Sequence, residues 1–168
     1  MLEIREIVFT GLVALLLLLT LVMAAPLRAE PARHLPGPVA AIVERVVDGD
    51  TLEVRAQIWL GQELRVLVRV HGIDTPELRG KCAHERQQAE KARAFVQEFI
   101  DQGGITLRQV NQDKYGGRVV AQVFDTQSRD LSAALIKAGL ARPYDGGKRS
   151  TWCEPGMAAL QSFLTIPP

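Results

Sequence analysis

Three short runs in the first half of the chain alternate apolar and polar residues, and this pattern constrains the fold more than any other feature. The runs cover residues 41–47, 52–58 and 64–70, with turn signals at Asp48-Gly49 and Gly61-Gln62 between them. Successive side chains of a strand point to opposite faces, so each run can bury one face and expose the other. The pattern predicts three antiparallel strands joined by hairpins.

The second half of the chain adds helices and two more strands. Residues 83–100 are rich in helix-forming residues with apolar side chains at helical spacing, which predicts one amphipathic helix. Strands are predicted at 105–110 and 118–124, followed by a short helix at 131–138 and a weaker one at about 156–164. We therefore predict an α+β, mainly β fold: a five-stranded Greek-key OB-fold barrel with two to three helices.

The first 29 residues are distinguished by their hydropathy. Residues 12–22 are almost entirely Leu, Val and Ala, and the small residues Ala24 and Ala25 follow, as in a secretory signal peptide. The apolar stretch 7–25 also approaches the length of about 20 residues that spans a bilayer, so an uncleaved N-terminal membrane anchor is the alternative. Both interpretations predict export: the protein would be periplasmic or secreted after cleavage, or anchored to the inner membrane without it.

The rest of the chain is predicted to be a tether and one domain. Residues 30–38 include three prolines and are predicted to form the tether, and residues 39–168 are long enough for one core. Lys and Arg total 20 against 19 Asp and Glu, a net charge of +1. Composition therefore gives no hint of nucleic acid, and a polyanion site would have to be a local cluster of basic residues.

Two cysteines, Cys82 and Cys153, are present. In an oxidising compartment such a pair can persist as a disulfide, and two unrelated buried thiols are the alternative. A bond closing this loop of about 70 residues would stabilise the domain by about 4 kcal/mol in the chain-entropy model.

Two acidic clusters and two arginines lie near the ends of the predicted strands. The clusters are Asp-Gly-Asp-Thr at 48–51 and Asp-Thr-Pro-Glu at 74–77; Arg69 lies between them, and Arg118 follows a glycine turn. Carboxylates bind hard cations and arginines bind phosphate, so together they indicate metal-assisted phosphodiester cleavage. Each motif alone has an ordinary structural interpretation, since Asp-Gly is a common hairpin turn and a strand arginine is usually solvated.

In their combination and order, these motifs resemble the staphylococcal-nuclease family, also called thermonucleases. The resemblance covers about residues 41–144. It rests on Val47-Asp48-Gly49-Asp50-Thr51, on Arg69 five residues before Asp74-Thr75-Pro76-Glu77, on Asp113-Lys114-Tyr115-Gly116 with its arginine, and on Ala134-Leu135-Ile136-Lys137-Ala138-Gly139-Leu140-Ala141. It implies an OB barrel and a Ca²⁺-dependent endonuclease acting on DNA and RNA, in the compact exported bacterial branch.

The resemblance implies a Ca²⁺ site and a general base. Asp50 and Asp74 would supply carboxylate oxygens and Thr75 its backbone carbonyl, an oxygen set that suits this ion. Asp48 would help to position these ligands without binding the ion itself. Glu77 resembles the glutamate that takes a proton from the attacking water.

The remaining carried-over residues would bind the substrate. Arg69 and Arg118 would clamp the phosphate, with attack breaking the bond to the 5′ oxygen and leaving 3′-phosphate ends. Lys114 and Tyr115 match positions that line the nucleotide pocket. The family has tyrosines after the Gly-Leu-Ala stretch, and here only Tyr144 corresponds to them. It would bind the nucleotide, or alternatively pack on the barrel rim. Phosphate contacts and stacking imply broad specificity, with single-stranded or denatured nucleic acid favoured; no protein partner is implied, and a monomer is expected.

The chain departs from the family pattern in two places. The usual Tyr-Gly-Arg is here Tyr115-Gly116-Gly117-Arg118, and one extra residue would flip the arginine to the other face of a regular strand unless a glycine bulge corrects it. The tail is short and carries Trp152-Cys153; a disulfide to Cys82 would pin this loop beside the site.

Two other functions stay open at this point. One is a non-catalytic module that binds single-stranded nucleic acid, which would keep the barrel without placing its catalytic residues. The other is a membrane-tethered structural domain, favoured if the leader is retained. A zinc site is not expected, because the three histidines have no partner at ligand spacing.

Overall fold

The structure is a computed structural model that describes residue 9, residues 32–100 and residues 103–153. Apart from Phe9, the predicted leader lies outside the described residues, as does the predicted helix at 156–164. The chain divides into two units, Met1–Ala32 and Arg33–Pro168, and the barrel belongs to the second. Among the described residues, no helix combines the length and the hydropathy that crossing a bilayer would require.

The described part of the second unit contains eight strands and two helices, among them those that periodicity predicts there. In chain order they are β1 (His34–Leu35), β2 (Val39–Asp48), β3 (Thr51–Trp59), β4 (Gln62–Val70), β5 (Ile73–Asp74), α1 (Ala83–Ile100), β6 (Ile105–Gln112), β7 (Arg118–Phe124), α2 (Leu131–Lys137) and β8 (Arg142–Pro143). The five longer strands and both helices match the predicted elements, and the predicted fold class is confirmed.

The five longer strands close into a mixed barrel. Their order is β6-β2-β3-β4-β7, and β7 pairs again with β6. The pairs are antiparallel except β4–β7, which is parallel. Closure pairs the edges of the sheet, which would otherwise present unpaired backbone groups.

Strand β1 lies inside the stretch 30–38 that the sequence predicts as a tether. His34 and Leu35 pair with Asn111 and Val110 of β6, beyond the part of β6 that pairs with β2. At this end, β2 no longer covers its edge of β6, so the backbone groups on that edge can pair with β1. The end of the predicted tether is therefore attached to the barrel by strand pairing.

The core fills the barrel and continues beneath α1. Leu52, Val68 and Val123 are completely buried inside the barrel. From α1, Ala92 and Val96 are equally inaccessible, and the helix packs against β2 and α2.

The turn between β2 and β3 packs closely against the chain around it. A Cβ atom added to Gly49 would lie 2.8 Å from Ala92 Cβ, closer than Cβ atoms approach one another, and a tight 3.0 Å from Thr75 Oγ1. Glycine is therefore required for packing at this point. The close contact brings the next residue, Asp50, against Thr75.

Candidate active site

Asp50 and Asp74 lie at the bottom of the site and are 3% and 4% exposed, respectively. Asp50 ends the close turn and directly precedes β3, and Asp74 ends β5. The backbone N–H of Thr75 donates a hydrogen bond of 3.2 Å to Asp50 Oδ2. The structure thus brings together the three residues predicted as metal ligands, from two separate loops.

Arg69 joins these two loops. Its Nη1 donates to Asp50 Oδ1 at 2.5 Å and its Nη2 to the Ile73 carbonyl at 3.1 Å. The side chains of this ion pair are only 10% and 4% exposed, respectively. A buried charge needs a partner, so Arg69 is fixed in place rather than solvated.

Asp48 adds a further negative charge beside Asp50. The pKa of Asp48 is raised to about 6: burial is the largest cause, the charges of Asp50 and Glu77 also raise it, and a hydrogen bond from the Asp50 N–H opposes them. Carboxylates that raise one another's pKa are short of positive charge. This part of the site is therefore favourable for a cation.

Asp74 shows whether the site suits a metal ion. Its Oδ2 accepts a hydrogen bond of 3.0 Å from Trp152 Nε1. Its Oδ1 is buried and has no hydrogen-bond partner in the described part of the chain. Arg149 Nε lies 2.9 Å from this oxygen, close enough for an ion pair but not aligned for a hydrogen bond. A buried oxygen left without a hydrogen bond is costly, and a hard cation would satisfy it.

Another group of potential ligands does not indicate a metal. Cys82, Glu85 and Cys153 bring their ligand atoms within 4.8 Å of one another. The two sulfurs are bonded to each other, as predicted, with Cα atoms 6.0 Å apart. Disulfide sulfurs are not thiolates, and thiolates are what bind metals.

Glu77 lies on the loop after β5, beside Asp74. Its side chain is 46% exposed, and its Oε1 pairs with Nη1 of Arg149. Asp74 and Glu77 line the same cavity of about 830 Å³, together with Arg149 and Trp152. The predicted base is thus accessible, but it forms an ion pair with an arginine that belongs to none of the sequence motifs.

Arg118 opens β7 on the same face of the sheet as Arg69. In the parallel β4–β7 pair, Leu67 is opposite Arg118 and Arg69 is opposite Val120, so both arginines point away from the core. The extra glycine, Gly117, has a φ of +80° and lies in the turn before β7. The register shift in the β6–β7 pair lies on β6, between Arg108 and Asn111. The turn therefore absorbs the added residue, and no glycine bulge in β7 is needed.

Arg118 is held by the turn that precedes it. Its Nε lies 2.5 Å from Asp113 Oδ2, with 25% of the arginine side chain exposed. Burial alone would raise the pKa of Asp113, but the hydrogen bond and charge of Arg118 lower it overall. The guanidinium carbon also lies 5.5 Å from the centre of the Tyr115 ring. Asp113 and Tyr115 therefore hold Arg118 in position, while part of its side chain stays exposed to solvent.

A comparison with protein families identifies the domain. The family model described as staphylococcal nuclease homologue matches residues 67–161, more than half of the chain. The chain belongs to this family. No curated protein matches the chain. The match contains Arg69, Asp74, Glu77 and Arg118 and begins after Asp50.

Membership in the staphylococcal nuclease homologue family gives the domain a general character. It is a nuclease-type or nucleic-acid-binding module, and the family is typically calcium-dependent. The sequence resemblance to this family is confirmed.

The remaining predicted substrate residues of this nuclease homologue share one cavity with both arginines. The cavity measures about 450 Å³, and its lining includes Arg69, Arg118, Lys114, Tyr115 and Tyr144. Lys114 Nζ lies 5.1 Å from the centre of the Tyr115 ring, and the guanidinium carbon of Arg69 lies 6.0 Å from that of Tyr144. Aromatic rings and basic groups thus line the same cavity.

Residues 148–153, named here the strap, make contacts with the site that no sequence motif predicts. Arg149 contacts Asp74 and Glu77, and Trp152 donates to Asp74. Arg142 of β8 stacks on the Trp152 ring at 3.8 Å and donates to the Thr151 carbonyl at 2.9 Å. The available signal was Cys153, because its pairing with Cys82 requires the strap to pass close to Glu77.

Proposed function

We propose that the protein is a Ca²⁺-dependent endonuclease that hydrolyses phosphodiester bonds in DNA and RNA and leaves 3′-phosphate ends. One observation carries the proposal: Arg69 joins the buried carboxylate of Asp50 to a sheet face that it shares with Arg118, and the neighbouring Asp74 Oδ1 is buried with no hydrogen-bond partner among the described residues. Carboxylate oxygens with spare acceptor capacity suit a hard cation, and arginines suit phosphate.

In this proposal, Asp50, Asp74 and the carbonyl of Thr75 would hold Ca²⁺. Asp48 would help to position these ligands without binding the ion. A bound Ca²⁺ would offset the negative charge that develops on the phosphoryl oxygen. The raised pKa of Asp48 supports this, because a cation would relieve the repulsion among the acidic side chains.

Arg69 and Arg118 would bind the phosphate in different ways. Arg69 is buried and paired with Asp50, so it would tie the position of the phosphate to that of a metal ligand. Arg118 is more exposed, and its open side can turn toward a phosphate. Planar guanidinium groups can donate two parallel hydrogen bonds to phosphate oxygens, which an ammonium group cannot do.

Glu77 would act as the general base. Its carboxylate is nearly half exposed and lies in the cavity that also contains Asp74. It could accept a proton from a water molecule that attacks the phosphorus.

The cavity around Tyr115 and Tyr144 would bind the nucleotide next to the scissile bond. Stacking on aromatic rings tolerates any base, and basic residues bind the backbone irrespective of sequence. Unpaired bases are free to stack, so single-stranded or denatured nucleic acid would be preferred.

Export is part of the proposal. The Cys82–Cys153 disulfide supports it, because such bonds persist in oxidising compartments. The apolar stretch 7–25 would act as a cleaved signal or as a membrane anchor. The mass of the mature protein would distinguish these two outcomes.

The competing function is a non-catalytic module that binds single-stranded nucleic acid. The pairing of Glu77 with Arg149 favours it, since the arginine competes with an attacking water molecule for the carboxylate. In that case, the barrel and its basic cavity would bind nucleic acid without cleaving it.

The test is degradation of heat-denatured DNA and of RNA by the full chain, purified in mild detergent, with Ca²⁺ or with chelator. Cleavage should require Ca²⁺, should leave 3′-phosphate ends, and should fall by about 1000-fold in Glu77→Gln. The matched control is Glu90→Gln, which alters an exposed glutamate of α1 and should cleave normally. Binding without cleavage by the unaltered chain would instead establish the binding module.

A further inference from the structure

Arg149 occupies a position in which the nuclease homologue would need positive charge. Its Nε lies 2.9 Å from Asp74 Oδ1, and its Nη1 pairs with Glu77 Oε1. One guanidinium thus bridges the predicted metal ligand and the predicted base. Burial alone would lower the pKa of Arg149, but its hydrogen bond to Glu77 and the charges of Asp74, Glu77 and Asp50 raise it overall.

The fit of this arginine to Asp74 is incomplete. Asp74 Oδ1 stays without a hydrogen bond although Arg149 Nε is within reach. The Arg149 side chain is also 41% exposed, so solvent weakens its ion pairs. These contacts are of the kind that a small divalent ion could displace, since its charge is higher and it can coordinate the unsatisfied oxygen directly.

Four contacts hold the strap that carries Arg149. Cys153 is bonded to Cys82, which follows Glu77 by five residues. Trp152 donates to Asp74, and Arg142 both stacks on its ring and binds the Thr151 carbonyl. A charge tethered in this way meets its partners as an intramolecular group, at an effective concentration of about millimolar.

We propose that Arg149 is a tethered counter-ion of the metal site, which competes with Ca²⁺ for Asp74 and Glu77. The inference rests on the proposed function, because it takes Asp74 as a metal ligand and Glu77 as the base. Without Ca²⁺, the arginine neutralises both carboxylates and blocks the base. Ca²⁺ binding at Asp74 displaces it and frees Glu77 in the same event.

The structure indicates where the displaced Arg149 side chain would lie. Arg149 also lines the cavity that contains Arg69 and Arg118. A guanidinium released from Asp74 therefore remains next to the place where the substrate phosphate would bind. The strap thereby couples occupation of the metal site to the charge of the substrate cavity.

The test is calorimetric titration of Ca²⁺ into the full chain without nucleic acid, which measures the dissociation constant independently of cleavage. Arg149→Ala should bind Ca²⁺ more tightly by about 5- to 150-fold, the usual range for coupled sites. The matched control is Lys148→Ala, which removes the same charge from the exposed neighbouring residue and should change affinity by less than about twofold. Arg149→Lys should stay close to the unaltered chain.

A second arm tests the tether. The double variant Cys82→Ser with Cys153→Ser should also bind Ca²⁺ more tightly than the unaltered chain. Arg149→Ala should then increase the Ca²⁺ affinity less in this double variant than it does in the disulfide-bonded chain. Unfolding curves establish that each variant is folded under the conditions of the titration. The single Arg149 variants keep the disulfide, so the main test does not depend on the double variant.

The outcomes separate the inference from the proposed function. Equal Ca²⁺ affinity in Arg149→Ala and in the unaltered chain, or weaker binding in the variant, overturns the inference and leaves the nuclease proposal standing. Equal tightening in Lys148→Ala and Arg149→Ala overturns it as well, because it indicates a general charge effect. Absence of Ca²⁺ binding in every variant overturns both the inference and the calcium dependence of the proposed function.

Discussion

Asp125 and Asp74 are both buried carboxylates, but the folded chain satisfies them very differently. Asp125 Oδ1 accepts hydrogen bonds from the backbone N–H groups of Gln127 and Arg129, and its Oδ2 lies 2.5 Å from Arg129 Nε. Asp74 Oδ1 has no hydrogen-bond partner among the described residues. Asp125 receives its hydrogen bonds from its own loop, whereas Asp74 is contacted by the strap, which lies more than 70 positions away in the sequence.

The pKa values of the two regions follow this difference. Burial alone would raise the pKa of Asp125, but the hydrogen bonds from Arg129 and the Gln127 N–H lower it overall. At the candidate site, burial and neighbouring carboxylates raise the pKa of Asp48 to about 6. A carboxylate that closes a loop finds its donors nearby, while carboxylates that lie close together without such donors raise one another's pKa.

The largest effect should come from breaking the buried pair at the site. Arg69→Ala should lower the free energy of unfolding by about 4 kcal/mol, because it leaves the Asp50 charge buried without a partner. Arg129→Ala breaks an aspartate pair of the same length, but the Arg129 side chain is 47% exposed, so about 1 kcal/mol is expected. Urea unfolding in chelator measures both. Equal losses would contradict the distinction between the two regions.

Removing the locally satisfied carboxylate should cost somewhat less. Asp125→Ala should destabilise the domain by about 2 to 3 kcal/mol, because two backbone N–H groups lose their acceptor. The lowered pKa of Asp125 means that its contribution is present above its ordinary pKa of 3.8 and is lost as the pH falls through its lower folded value.

The check is the difference in unfolding free energy between Asp125→Ala and the unaltered chain. This difference should shrink in strong acid, and the proposed nuclease activity should be unchanged at neutral pH. A loss of cleavage in a fully folded variant would show that this loop serves the site.

The smallest effect should be the pH dependence of Asp48. Because its folded pKa is raised, its contribution to stability is present below pH 3.8 and is lost as the pH rises through about 6. The shift corresponds to at most about 3 kcal/mol, and partial exposure to solvent reduces this to about 1 to 2 kcal/mol. Asp48→Asn should therefore become more stable relative to the unaltered chain between pH 4 and pH 6.

Urea unfolding in chelator, repeated at each pH, measures this change. Added Ca²⁺ should reduce the difference, since a bound cation would stabilise the charged carboxylate. Parallel stability curves for the two proteins would show that Asp48 is not strained by its neighbours.

The fold was predictable from the sequence because its signals are local. The alternation in residues 64–70 identifies a strand whatever that strand pairs with, and the helical spacing of Ala92 and Val96 identifies α1 in the same way. Strand β1 escaped prediction because two residues carry no periodicity and its pairing depends on the free end of β6.

The site was predictable only in part. Asp50, Asp74 and Arg69 were identified through motifs whose order resembles a known family, and the structure brings them together. Arg149 and Trp152 belong to no such motif. Their contacts with Asp74 bridge more than 70 positions of the sequence, so no local pattern could indicate them.

The sequence by itself determined which residues form the five longer strands, where the tight turns fall and which carboxylates and arginines accompany them, because backbone preference and periodicity act over a few residues. Only the tertiary structure decided the partners of those charges: that Arg69 is buried against Asp50, that the turn at Gly117 leaves Arg118 on the same face, and that Arg149 bridges Asp74 and Glu77. Electrostatic interactions depend on distance in space and on burial, and both are fixed only when the barrel closes and the disulfide holds the strap against it.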